Sequence, residues 1–238
     1  GTALKPYDGS NQTLKRDEAV FRFIRQKEGV KPDLITTEAA IEKYRQNGLL
    51  DYVDDYCKFR RVKSSNIFQG KGHTVGVIQG CPHPGDDVIK RWCAILEESP
   101  NITGRGESKS YGGEIQDEVA RHFTHDLVYH AVMRFARGDT PATVYLNTTA
   151  TDEWLSPDRN LTNYFDNNWR SFVGAEGAIR DHLQQTGQSS ITHLANATGY
   201  SKRRVREVVR KLDANTDTPF ERRERPGPKS DKVVWIAE

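Results

Sequence analysis

The ten residues His130–Asp139, HAVMRFARGD, set two arginines three residues apart beside an apolar pattern and ahead of a Gly-Asp break. On a helix turning about 100° per residue, His130, Arg134 and Arg137 fall within about 60° of one another. Leu127, Val128, Ala131, Val132 and Phe135 take the opposite side. Such a helix buries one face and presents a His, Arg, Arg row on the other. The planar guanidinium matches phosphate bidentately, so the chemistry of this row is anion capture. Gly138-Asp139 then lets the chain turn into a strand, ATVYLNT.

A second basic set lies near the C-terminus. In YSKRRVREVVRKLDANT, Val205, Val208, Val209 and Leu212 follow i, i+3, i+4, i+7 and define a buried stripe. Arg203, Arg206 and Arg210 follow i, i+3, i+7 on another face, with Lys202 and Arg204 beside them. A helix that enters the major groove needs this division, with its apolar side toward its own domain and its basic side toward phosphates and base edges. Arg222, Arg223 and Arg225 precede a Pro-Gly-Pro turn, and Lys229 and Lys232 follow it, where a hairpin tip can touch the DNA backbone.

These side chains need elements to position them. From Gly174 the pattern reads as a helix ending at Gly187, a short helix ending at Gly199, a helix capped by Ser201, and two strands. That is the order of a winged helix-turn-helix. Upstream, a helix runs to Gly29. DLITT reads as a strand, and Thr37 caps the helix EAAIEKYRQNG. YCKFRRV and HTVGVIQG are further strands, the latter buried through Val75, Val77 and Ile78. CPHPGDD turns into the helix VIKRWCAILEE, and residues 99–113 form a loop. A long helix over 114–136 leads to ATVYLNT, DEWL starts a short helix, and 156–170 read as a connector. This alternation favours an α/β layer with a mainly parallel sheet.

The bulk properties agree. Of 238 residues, 35% are hydrophobic and 29% charged, and the net charge is +2. No apolar run approaches the roughly 18 residues of a membrane span, so no membrane partner is expected. Three scattered cysteines, Cys57, Cys81 and Cys93, make no disulfide framework and point to a reducing, cytoplasmic setting. The sequence begins Gly1-Thr2 and its single methionine is Met133, so a processed product or a piece of a larger parent is expected.

The His130–Arg137 row resembles motif VI of the superfamily-2 helicases, Gln-x-x-Gly-Arg-x-x-Arg. His130 stands at the Gln, Met133 at the Gly, and Arg134 and Arg137 at the two arginines. LITTEAAIEKY is similar to the opening of the second RecA-like domain. KSSNIFQGKGHTVGVIQGCPHPGDD is similar to the approach to motif V, with Lys63, Ser64 and Asn66 before the strand and Gly85-Asp86-Asp87 after it. The whole resembles archaeal, plasmid- or virus-associated helicase-like proteins over about residues 30–155. The resemblance implies that Arg134 and Arg137 are catalytic, reaching ATP phosphates held by a first RecA-like domain. An arginine finger of this kind supplies roughly 10³–10⁵ in rate. His130, Gly85 and Asp86 would line the nucleotide.

The departures are His130 for Gln, Met133 for Gly, and the lack of any Gly-x-x-x-x-Gly-Lys-Ser/Thr in the sequence. ATP and Mg²⁺ are therefore expected only with a first RecA-like domain supplied from elsewhere. No metal site is expected: His73, Cys81, His83, His122 and His125 lack paired Cys-x-x-Cys spacing. Gly85-Asp86-Asp87 reads as a helix-capping turn, the four tryptophans as packing residues, and Tyr111 as a candidate base-stacking platform.

The expected organisation is an extension and helix over 1–29, a RecA-like domain over 30–158, a connector over 159–173 and a winged helix over 174–238. The expected function is the C-terminal part of an ATP-dependent helicase or translocase. Its winged helix would hold DNA through Lys202, Arg203, Arg204, Arg206, Arg210, Arg222, Arg223 and Lys229. The other reading is a non-enzymatic replication initiator or regulator that binds DNA in the same way and uses its α/β domain for dimerisation or protein contacts.

Overall fold

A computed structural model describes residues 9–62, 68, 74–104, 109–135, 141–151, 155 and 157–214, and the backbone of 220–223 and 233–236. The chain forms two compact units, one from residues 1–14 and 30–160, the other from 15–29 and 161–238.

The first unit is built on a four-stranded parallel sheet. Its strands are β1 (Asp33–Thr36), β2 (Tyr56–Lys58), β3 (Val75–Gln79) and β4 (Thr143–Asn147), in the order β2-β1-β3-β4. The central strands β1 and β3 are buried along their whole length. A parallel strand covered on both faces reads as a continuous apolar run, as VGVIQ does. The register pairs Ile35 with Ile78 and Ile78 with Leu146. Ile35 and Ile78 are fully buried with Val128, Ala131 and Phe135 in one core cluster. Burying each such aliphatic side chain contributes roughly 1.5–3 kcal/mol.

The connecting helices α2 (Glu38–Gln46), α3 (Asp86–Ile95) and α4 (Glu114–Phe135) fall where the periodicity puts them. Thr37 caps α2, its hydroxyl accepting from Ala40 N at 3.2 Å. In α4 the buried positions Gln116, Ala120, Thr124, Val128, Ala131 and Phe135 trace one stripe at helical spacing. The strand expected over YCKFRRV is shorter: Phe59–Arg61 forms a 3₁₀ turn.

The second unit comprises helix α1 (Asn11–Glu28) from Lys15 onward, α5 (Thr162–Asn168), a 3₁₀ turn over Trp169–Phe172, α6 (Gly174–Thr186), β5 (Gln188–Ser190), α7 (Ile191–Thr198), α8 (Lys202–Asp213), β6 (Phe220–Arg223) and β7 (Val233–Ile236). Three antiparallel strands form a sheet in the order β5-β7-β6. Helix α1, set apart as an extension in the sequence, is held here by polar and aromatic contacts. Arg22 is ion-paired with Asp181 on α6, and Gln26 Nε2 donates to the same carboxylate at 2.8 Å. Phe23 meets Phe172 edge-on with ring centroids 5.4 Å apart.

Two expectations change. The connector is largely helical, as α5 and the following turn, and β5 is a strand that the sequence does not announce. Of the DEWL segment expected to start a helix, 152–154 lie outside the described residues. Among the described residues no helix is long and apolar enough to cross a membrane.

Candidate nucleic-acid interface and sheet-end residues

Helix α8 begins at Ser201, whose side chain accepts from Arg204 N at 3.3 Å. Val205, Val208, Val209 and Leu212 are buried in a cluster with Ile179 and Leu183 of α6 and Leu194 of α7. At about 100° per residue, Arg203 and Arg210 then point away from the core and Arg206 lies on the flank of the same exposed face. All three are exposed, as are Lys202 and Arg204. Glu207 on the same face is shared by Arg203 (3.3 Å) and Arg204 (3.2 Å). Those hydrogen bonds, Arg204's first, hold its carboxyl below the usual range. Arg206 and Arg210 make no ion pair among the described residues. The cationic centre of the exposed face is therefore Arg206 and Arg210, with Arg203 and Arg204 partly offset by Glu207. Arg222 and Arg223 lie on β6, in register with Val234 and Val233 of β7. Arg137, Lys229, Arg225, Lys232, Lys63, Ser64, Asn66 and His73 lie outside the described residues.

In the first unit the sheet separates the residues that the resemblance groups around a nucleotide. Arg134 is half-buried in the last turn of α4 and His130 is exposed one turn earlier. Phe135, next to Arg134, packs against Gly76, the second residue of β3. Arg134 therefore sits toward the amino ends of the strands. Gly85 and Asp86 follow the carboxyl end of β3, at the start of α3. The strands run parallel, so the two sets lie at opposite ends of the sheet.

The amino end is also where Thr74 and Thr143 meet, Thr143 N donating to Thr74 O at 2.7 Å.

At the carboxyl end, Asp86 belongs to a local network. Lys109 and the Tyr111 hydroxyl (2.9 Å) both donate to Asp86 Oδ1. His83 Nδ1 accepts from Gly85 N at 3.0 Å, which leaves Nε2 as the protonated nitrogen, 3.0 Å from the Tyr111 oxygen. The chain of donors thus runs His83, Tyr111, Asp86. Lys109 and then Tyr111 hold the Asp86 carboxyl below its usual range. Burial, followed by the Lys109 charge, holds His83 below its own. Burial and the neighbouring Asp86 push the Tyr111 phenol up. Burial alone pushes the Cys81 thiol to about 12, which leaves it protonated and unreactive.

This network fastens Lys109 and Tyr111 to the start of α3. Asp86 does not cap α3 through its side chain, since the N-cap residue is Gly85, with φ at 93° and no side-chain bond. Tyr111 is 1% exposed, within a cluster of Ile89, Cys93 and Ala120, so it offers no face to a base. Trp92, expected as a packing residue, is 48% exposed against Phe123. Lys109 and Tyr111 stand more than twenty residues from Asp86, and no spacing rule links them. Among the described residues no three His, Cys, Asp or Glu side chains gather.

Comparisons with protein-family models, with curated proteins and with solved structures found no match to this chain.

Proposed function

We propose that the chain is a DNA-binding half of an ATP-dependent helicase or translocase, with the second unit acting as a winged helix and the first as an arginine-supplying RecA-like domain. The observation that carries this reading is the division of α8. Arg203 and Arg210 project from the side opposite the buried Val205, Val208, Val209 and Leu212, with Arg206 on the flank of the same exposed face. A helix of this width fits the major groove, roughly 12 Å across. The order α6-β5-α7-α8-β6-β7 with sheet order β5-β7-β6 supports α8 as the reading helix and the β6-β7 hairpin as the wing.

The parallel sheet supports the RecA-like assignment. Arg134 fits a phosphate-facing role, because it is half-exposed at a helix end beside the strands that Thr74 and Thr143 enter. Asp86 does not fit as its partner, being engaged by Lys109 and Tyr111 at the other end. ATP and Mg²⁺ would be held by a first RecA-like domain supplied from elsewhere, with Arg134 and Arg137 neutralising charge on the transferring phosphoryl group.

The reading without ATP chemistry, a DNA-binding initiator or regulator, is favoured by one observation: Arg134 and Asp86 do not converge on one ligand within this unit. The two readings part in one assay. Together with an ATP-holding first RecA-like domain and DNA, the chain should raise ATP turnover, and Arg134→Ala should abolish the gain. No gain, or a gain indifferent to Arg134, leaves only the regulator.

A further inference from the structure

The second unit holds a further polar cluster where α6, β5 and α7 meet. Helix α6 ends at Gly187, whose φ of 71° turns the chain sharply into β5. Ser189 is thereby buried beneath the end of α6. The next residue, Ser190, caps α7 by accepting from His193 N at 3.1 Å, which fixes the first turn of that helix and its histidine. His182, one turn before the end of α6, faces the same point. Three atoms converge there. His182 Nε2 lies 3.3 Å from His193 Nδ1, and Ser189 Oγ lies 2.9 Å from His193 Nδ1 and 3.4 Å from His182 Nε2.

One hydroxyl proton can serve only one of the two ring nitrogens. With each imidazole protonated on its far nitrogen, two lone pairs meet across a gap that a cation can share. The spacing suits that role: a tetrahedral metal with bonds of 2.0–2.1 Å to imidazole nitrogen holds its ligand atoms about 3.3–3.4 Å apart. Two edges of the triangle, at 3.3 and 3.4 Å, match a face of such a tetrahedron, and the third, Ser189 Oγ to His193 Nδ1, is shorter at 2.9 Å, with solvent left for the remaining position.

We infer that His182, His193 and Ser189 form a binding site for a borderline divalent cation of the zinc, nickel and copper(II) class, clasping α6 to α7 ahead of α8. Imidazole ligands select these metals over magnesium and calcium, which prefer oxygen. Two imidazoles and one hydroxyl make an open, exchangeable site rather than a closed structural one. The inference is independent of whether α8 binds DNA.

The test is calorimetric titration of the full chain with ZnCl₂, with MgCl₂ in parallel, alongside melting curves. His193 is exposed, so His193→Ala keeps the fold. The expected result is uptake of one equivalent of zinc and none of magnesium, with a raised melting temperature. In His193→Ala, zinc binding should weaken about tenfold or more, the scale on which weakened support of a ligand set lowers metal affinity, and the melting shift should vanish. His122→Ala serves as the control, because His122 pairs with Asp126 on the surface of α4 and is a competing location. Its zinc binding should be unchanged. Absence of zinc uptake, uptake that survives His193→Ala, or uptake abolished in His122→Ala overturns the inference.

Discussion

A β-carbon placed on Gly76 would lie 2.6 Å from the tip of the Phe135 ring. No real Cβ tolerates that approach, so the end of α4 sits where it does because β3 has no side chain at this position. Phe135 is also stacked on Phe68, with centroids 5.0 Å apart. The residue before it is Arg134, so this packing sets the height of the arginine against the sheet.

Gly76→Ala should therefore destabilise the first unit by about 1–3 kcal/mol, the usual cost of overpacking. Phe135→Ala should cost about 3–5 kcal/mol through its cavity. The two changes together should cost less than their sum, since removing the ring removes the clash. Denaturant unfolding of the four proteins measures the coupling, and strict additivity would contradict the close approach of Gly76 and Phe135.

Arg22 and Asp181 form a buried ion pair, with side chains 9% and 10% exposed. Gln26 satisfies the other carboxylate oxygen of Asp181, and Glu18 takes Arg22 Nε at 2.8 Å. Asp181→Ala removes one of the two carboxylates that hold the buried Arg22 guanidinium, leaving Glu18, and should cost about 1–3 kcal/mol. Replacing both partners, as Arg22→Met with Asp181→Leu, should recover most of that stability. A thermal melt in which the double variant is no better than Asp181→Ala would reject this account of how α1 is held.

The depressed pKa of His83 makes a pH prediction. The unfolded chain takes up its proton near the ordinary value of about 6.5, before the folded chain does. The stability held by neutral His83 is thus present above that value and lost as pH falls through the lower folded pKa. Melting temperatures of the wild type should fall between about pH 7.5 and 5.5, on either side of that ordinary value, and His83→Gln should lessen the fall. His182 shifts in the same direction but is unchanged in that variant, so the difference reports His83. Asp86 loses its contribution only below about 3.9, outside this window. Parallel curves for the two proteins would contradict the assignment.

On the proposed helicase reading, Arg134→Ala should leave folding and DNA affinity unchanged while lowering the ATP turnover measured with an added first RecA-like domain, by roughly 10³–10⁵ for an arginine finger. Single-turnover ATP hydrolysis measures this. A fall in melting temperature matching the drop in turnover would assign Arg134 a structural role instead.

The elements governed by local periodicity are the ones legible in the sequence. The stripe of α8, its Ser201 cap and the buried run of β3 follow from spacing alone. β5 is not legible because Gln188–Ser190 is short and polar, and its partner β7 lies more than forty residues on. α5 is hidden by its asparagines, which disfavour helix interiors. In the structure Asn167 and Asn168 turn their amides back to the carbonyls of Asn163 and Tyr164, at 2.9 and 2.8 Å. The sheet-end network is half legible. Gly85-Asp86 stands out as a turn, but Lys109 and Tyr111 reach Asp86 only through the folding of the intervening chain. The separation of Asp86 from Arg134 is likewise set by strand direction, which no local spacing carries.

The claim that α8 carries the DNA contact is tested most directly by the salt dependence of duplex binding. Affinity measured by fluorescence anisotropy over a range of salt should fall steeply, by about 0.9 in log K per log unit of salt for each phosphate neutralised. Replacing Arg206 and Arg210 together by alanine should weaken binding and reduce the slope by about 0.9 for each phosphate no longer neutralised. A flat salt response in the wild type, or an unchanged slope in the double variant, would contradict α8 as the DNA-binding helix.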